Sequence, residues 1–210
     1  VRFSLLAALT AVSVPASAQP NVAENGMVAS PEPFASDVGV AILKAGGNAF
    51  DAAAAVHFAL AVTYPAAGNL GGGGFMVGLT ANGETFALDF REEAPAAATE
   101  DMFVDGDGQM VPGRSTRTHK GVGVPGSVDG MLQLVDRYGT LTRTEVLRPA
   151  ITLALDGFPV SYALARSLRR NERLRTVISS VKAFGLEGDG PAMGDVLKQP
   201  DLGATLEAVA

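Results

Sequence analysis

The chain contains no cysteine. That excludes disulfides, thiolate metal sites and a cysteine nucleophile. Histidine is nearly as scarce: the 2 present, His57 and His119, have no second histidine or cysteine nearby, so no metal site is expected. No serine sits in a Gly-x-Ser-x-Gly elbow, and nothing identifies a scaffold for a serine triad. Neither glycine-rich phosphate motif occurs in order at the start of a helix. Basic residues are outnumbered, 16 against 22 for a net charge of −6, and are scattered except around Arg166 to Arg175. This argues against a nucleic-acid partner. No segment reaches about 18 unbroken apolar residues, so no membrane span is expected. There is no repeat at a fixed period.

What is present begins with a leader. Arg2 supplies a charged start, Phe3 to Val14 is almost wholly apolar, and Ala16-Ser17-Ala18 fits a small-x-small cleavage rule. Residues 1–18 are therefore expected to be a signal peptide, and residues 19–210 the remainder of an exported protein, periplasmic or secreted. Its removal takes only Arg2 among charged residues and moves the net charge from −6 to −7. At 47% hydrophobic composition, a sizeable core is possible without disulfides.

The pattern predicts a short strand at Met27-Val28-Ala29, then a helix capped by Ser30 with Pro31 in its first turn. Phe34, Val38, Ala41, Ile42 and Ala45 would share a face, and Gly46-Gly47 would end the helix. Asn48 and Asp51 open a second helix over 49–63 that is apolar nearly all round, hence buried on every side. After Tyr64-Pro65 comes Asn69-Leu70-Gly71-Gly72-Gly73-Gly74-Phe75, then strands at 75–80 and 85–90 joined through Asn82-Gly83. Alternation puts Phe86, Leu88 and Phe90 on one face, with Ala87, Asp89 and Arg91 on the other. Residues 94–120 read as loop. Helices are expected at about 128–137, from Thr142 with Glu145 as a capping box to Asp156, after Ser161 through the arginine cluster, and after an Asp201 cap. The last of these has no stop signal before Ala210, which predicts that the chain continues. The order suits antiparallel strands layered with helices, an α+β class, more than a doubly wound parallel sheet.

Four consecutive glycines rarely serve stability, because glycine loses the most conformational freedom on folding. Such a run predicts a positive φ or a backbone passing something too closely for a Cβ. The neighbouring Asp89-Phe90-Arg91-Glu92 adds an arginine beside it, an arrangement suited to a small anion. From spacing alone Asp89 and Arg91 read first as an ion pair, with Glu92 and Glu93 as further partners for the guanidinium. His57 reads as a core or rim histidine, and the arginines of 166–175 as a solvated or subunit-facing surface. Residue chemistry by itself stops at an anion site of unknown purpose.

The motifs together resemble the γ-glutamyltransferase (γ-glutamyltranspeptidase, glutathione hydrolase) family. The matching text is Gly26-Met27-Val28-Ala29-Ser30, Leu43 to Ala53, Gly68 to Met76, Asp89-Phe90-Arg91-Glu92, Gly123-Val124-Pro125-Gly126 and Asp156-Gly157-Phe158, in consistent order. The resemblance implies an N-terminal nucleophile hydrolase fold, an αββα sandwich incomplete in this chain. It implies a precursor that cleaves itself into a large and a small subunit. The N-terminal threonine of the small subunit attacks the γ-glutamyl carbonyl with its own α-amine as base. Water or an amino acid or peptide then accepts the γ-glutamyl group.

Arg91 alone carries over as a substrate contact, pairing with the α-carboxylate of the γ-glutamyl moiety; Asp89 and Glu92 would orient it. No catalytic residue, metal or cofactor is implied for this stretch. Thr118-His119 lies before the Gly-Val-Pro-Gly turn and is rejected as the nucleophile motif. The partners implied are a small γ-glutamyl compound, the remainder of the large subunit and the small subunit. A cephalosporin acylase or a poly-γ-glutamate processing enzyme would share the scaffold, and an inactive orphan fragment is the non-enzymatic alternative.

Overall fold

The computed structural model describes residues 22–210, so the expected signal peptide at 1–18 lies outside the described residues. Helix α1 (Pro33–Lys44) starts two residues later than the sequence pattern predicts. Its cap is Glu32, whose carboxylate accepts from Ala35 N at 3.1 Å. Glu32 is extended, with φ −137° and ψ 125°, because it precedes Pro33, and the helix cannot reach back through it. Ser30 instead donates its hydroxyl to the Glu32 carbonyl at 2.7 Å. The expected strand at 27–29 does not form; Val28 packs as extended chain against Gly39, where a Cβ would come within 2.8 Å of it.

At the other end, Gly46 adopts φ +96°, and Gly47 N and Gly46 N donate to the carbonyls of Ile42 and Leu43 at 3.0 and 3.2 Å. This is a left-handed C-terminal turn that satisfies two otherwise orphaned carbonyls.

Helix α2 (Ala49–Thr63) is the centre of the molecule. Asn48 and Asp51 form the expected capping box. Asp51 does more than favour a helix start: it is fully buried and accepts from Thr140 N, Thr140 Oγ1 and Leu141 N, as well as from Asn48 N. With Asn48 Nδ2 donating to the Tyr138 carbonyl at 2.6 Å, it clamps α2 to the turn between α3 (Ser127–Tyr138) and α4 (Arg143–Asp156). Phe58, Ala59 and Val62 of α2 are wholly buried, with Leu134 of α3 and Leu147 of α4. The Thr142–Glu145 capping box opens α4 as expected, and Gly157 ends it at φ +88°.

Two predicted helices change. The arginine-rich one breaks at Asn171 into α5 (Tyr162–Arg170) and α6 (Glu172–Arg175), followed by α7 (Ile178–Phe184). Asn171 leaves helical geometry at ψ 83° and its side chain accepts from Leu174 N. Arg175 is thereby turned away from the cluster; its guanidinium ties the carbonyls of Leu186, Gly188 and Asp189. The last helix, α8 (Pro200–Val209), starts after Gln199, not at Asp201. Gln199 is buried because its amide donates to the Val62 carbonyl at 2.7 Å, joining α8 to α2. Leu206 of α8 completes the core.

The strands are β1 (Phe75–Leu79) and β2 (Thr85–Asp89), antiparallel with Phe75 opposite Asp89 and Leu79 opposite Thr85. Gly83 makes the turn at φ +86°. A second pair joins β3 (Phe158–Pro159) to β4 (Val196–Leu197). The first hairpin lays one face on the helices. Phe86 stacks on Tyr138 with ring centroids 4.1 Å apart, and Phe50 closes on both. Its outer face is apolar and open: Phe75, Val77 and Leu79 are 65%, 84% and 67% exposed. The described residues thus form a mixed α/β structure with helices on one side of a hairpin. They do not contain the sandwich that the resemblance implies.

Candidate functional site

Three separated stretches meet at the end of β2. Gly74 and Phe90 exchange backbone hydrogen bonds at 3.3 and 3.0 Å. Gly126 N and Ser127 N both donate to the Gly72 carbonyl at 2.9 Å. Glu93 and Val124 form a second reciprocal pair at 3.2 and 2.8 Å. The glycine run, the Asp-Phe-Arg-Glu segment and the Gly-Val-Pro-Gly turn are therefore one laced unit.

Its glycines are there for close approach. None of Gly71 to Gly74 has a positive φ. A Cβ on Gly73 would lie 2.5 Å from the Phe90 oxygen and 2.7 Å from Arg91 Cα. One on Gly126 would collide with the same oxygen, and one on Gly130 would come within 2.5 Å of the Phe90 side chain. Side chains at these positions would push the Arg91 backbone outward.

Arg91 itself is exposed. The ion pair expected from spacing alone does not form, because Asp89 turns its carboxylate onto the Arg91 backbone N at 3.0 Å. Among the described residues the one ion pair joins Arg143 to Asp136, on an exposed surface. Hydrogen bonding to Arg143 holds the Asp136 carboxyl below its ordinary range. The Arg91 guanidinium has no hydrogen-bond partner among the described residues. It lines a cleft of about 260 Å³ together with Asp89, Glu93, Pro125, Asp129 and Gln133. Gln133 donates to Asp129 at 2.6 Å. Sequence reasoning missed Asp129 and Gln133. No local pattern points to them; the start of α3 after Gly126 brings them to the same cleft as the arginine. Chemically the cleft offers one free planar cation and several carboxylates, a fit for a small zwitterion.

The two histidines lie apart from this cleft. His57 sits edge-on to Phe58 at 5.7 Å, and its Nε2 is buried without a partner. Burial holds its imidazole below the ordinary value, and the Asn69 backbone partly offsets this. His119 lines a second cleft in the 95–120 loop. Thr118 donates its hydroxyl to the Arg114 carbonyl at 2.5 Å, a turn contact. No group of three or more acidic or histidine ligands suited to a metal occurs among the described residues.

Comparison with known proteins places these features in a lineage. The model of a family described as Gamma-glutamyltranspeptidase matches residues 35–210. The chain is 50% identical to the glutathione hydrolase proenzyme of Escherichia coli (strain K12) over 190 residues, which is 90% of this chain and 33% of that protein. The crystal structure of Helicobacter pylori gamma-glutamyltranspeptidase superposes with a TM-score of 0.85 at 44% identity, covering 91% of this chain and 55% of that one. A cephalosporin acylase from Bacillus halodurans superposes at 0.80 with 31% identity, covering 97% and 39%. The chain spans about a third of the length of the curated relatives it matches.

Proposed function

Because this chain belongs to the gamma-glutamyltranspeptidase family, we propose that residues 19–210 form the N-terminal part of the large subunit of an exported γ-glutamyltransferase proenzyme. The complete protein cleaves γ-glutamyl amides such as glutathione and passes the γ-glutamyl group to water or to an amino acid or peptide. A threonine exposed by self-cleavage, outside this chain, is the nucleophile, and the complete fold is the αββα sandwich of N-terminal nucleophile hydrolases. The open face of the hairpin meets the rest of that sandwich. Residues 1–18 direct export to the periplasm or beyond.

Within this chain Arg91 carries the substrate contact. The observation behind the assignment is its unpartnered guanidinium, held at a cleft by a backbone that three glycine-bearing segments lace together. The fork grips the α-carboxylate with two parallel hydrogen bonds, which a lysine cannot reproduce. Asp89, Glu93 and Asp129 give the cleft the opposite sign that an α-ammonium group needs. Glu92 packs its Cβ against the Gly123 turn and steadies the segment.

The similarity to a cephalosporin acylase supports a second reading, in which the acyl group is glutaryl and lacks the α-amine. Hydrolysis of glutathione and of a glutaryl amide by the complete protein separates the two. Preference for glutathione supports the γ-glutamyl reading, and preference for the glutaryl amide overturns it.

A further inference from the structure

The loop between β2 and α3 holds basic side chains that the γ-glutamyl contact does not use. It is a built structure. Val104 pairs with Met110, and Asp105 accepts from Asp107 N and Gln109 N at 3.0 and 2.9 Å. Arg117 N donates to the Gly113 carbonyl at 2.8 Å, and a Cβ on Gly121 would collide with the Ser115 carbonyl. The loop encloses a cleft of about 480 Å³ whose polar lining includes Thr99, Asp101, Arg114, His119 and Lys120.

Asp101 accepts the Thr99 hydroxyl at 2.6 Å. Arg114 spends Nη1 on the Val104 carbonyl at 2.5 Å, and its Nε and Nη2 have no acceptor among the described residues. His119 and Lys120 have no side-chain partner among the described residues. Two permanent cations and an imidazole thus face one carboxylate, in a chain whose net charge is −6.

The walls of this cleft continue the two strands that meet at Glu93 and Val124, beside Arg91. Arg91 and Pro95 are four positions apart, so their Cα atoms lie at most roughly 13 Å from each other. Three extended residues reach roughly 10–11 Å, so a γ-glutamyl tripeptide is of the same order of length.

We propose that this loop cleft is a second anion subsite, which takes a carboxylate at the peptide end of the reaction. That carboxylate belongs to the leaving peptide of the donor or to the incoming acceptor. The inference rests on the γ-glutamyl reading of Arg91. Lys120, four residues from the Glu93–Val124 bridge and without a structural hydrogen bond, is the group to change.

The test uses the complete, processed protein with two donors: glutathione, whose leaving peptide ends in a carboxylate, and γ-glutamyl-p-nitroanilide, whose leaving group has none. Lys120→Met is expected to lower the ratio of kcat/KM for glutathione over the anilide, or to raise the KM of glycylglycine as acceptor, by about tenfold. A shift in the ratio assigns the subsite to the leaving peptide, and a shift in the acceptor KM assigns it to the acceptor. Lys120→Arg should restore either one. An unmoved ratio with an unmoved acceptor KM overturns the subsite while leaving Arg91 untouched. A uniform loss on both donors, unrestored by arginine, also overturns it, because Lys120 then acts through the fold. A wild-type protein that cleaves neither donor overturns the γ-glutamyl reading and the subsite with it.

Discussion

The helical half of the molecule and the hairpin half are finished to different degrees. Around α2 most of the surface has a partner: α1, α3 and α4 pack on it, Gln199 binds its last turn, and Asp51 locks its first. The stripe of Ala49, Ala53, Val56 and Leu60 is not fully buried, as the sequence pattern predicts it to be. The hairpin is covered on one face and open on the other, with Phe75, Val77 and Leu79 exposed at the outer surface. The Arg91 cleft lies at the seam. Its backbone is fixed from the helical side by Gly126 and Gly130 of the α3 start, and its charged groups face outward. Stability and recognition are thus drawn from different halves. The helices hold the seam still, and the seam presents a guanidinium without a hydrogen-bond partner among the described residues at the edge of a cleft.

Substitutions in the two halves should therefore separate stability from activity. The largest effect is expected for Phe58→Ala, which empties a fully buried site and should cost about 3–5 kcal/mol. Thermal unfolding of the complete protein checks it, with the KM of the surviving enzyme unchanged. Arg91→Lys should do the reverse. It should lose about 3 kcal/mol of transition-state binding, a drop of two orders of magnitude in kcat/KM for glutathione, at an unaltered melting temperature. Gly73→Ala falls between the halves. It crowds the Phe90 oxygen and Arg91 Cα, and should cost about 2 kcal/mol in stability and lower activity together.

Val77→Lys tests the open face directly. In this chain alone it should change stability by less than about 0.5 kcal/mol, since the side chain is exposed. If the proposed sandwich covers this face in the complete protein, the same change should cost about 1–2 kcal/mol there. Equal effects in both settings would mean that the face stays open.

The smallest effect is pH-dependent. Burial lowers the folded-state pKa of His57 below 6.5, so the unfolded chain takes up a proton first as pH falls. Stability from this residue is full above about pH 6.5 and declines below it toward the folded value. His57→Phe should flatten the acid limb of a denaturation series.

Much of the helical half was legible in the sequence. Asn48 with Asp51 and Thr142 with Glu145 carry local capping chemistry, and Gly46-Gly47 and Gly157 mark helix ends whatever surrounds them. The failures trace to a neighbouring proline or to a competing partner for the side chain. Ser30 and Pro31 gave way because Glu32 precedes a second proline. Asp201 gave way because Gln199 finds the Val62 carbonyl across the core, a contact 137 positions away in sequence. At the site, the glycine run announced a close approach but not what it approaches, which is the carbonyl of Phe90. The Asp89–Arg91 pair read from strand alternation was wrong because Asp89 has a nearer donor in the Arg91 backbone. The part played by Asp129 and Gln133 depends on how α3 meets the strand end, and no local pattern encodes that.

The central claim is that the Arg91 guanidinium receives the α-carboxylate of a γ-glutamyl group. A crystal structure of the complete, processed protein with glutamate bound tests it most directly. Two parallel nitrogen-to-oxygen contacts of about 2.8 Å are expected between that guanidinium and the ligand. Glutamate bound elsewhere, with Arg91 turned to bulk water, would contradict it.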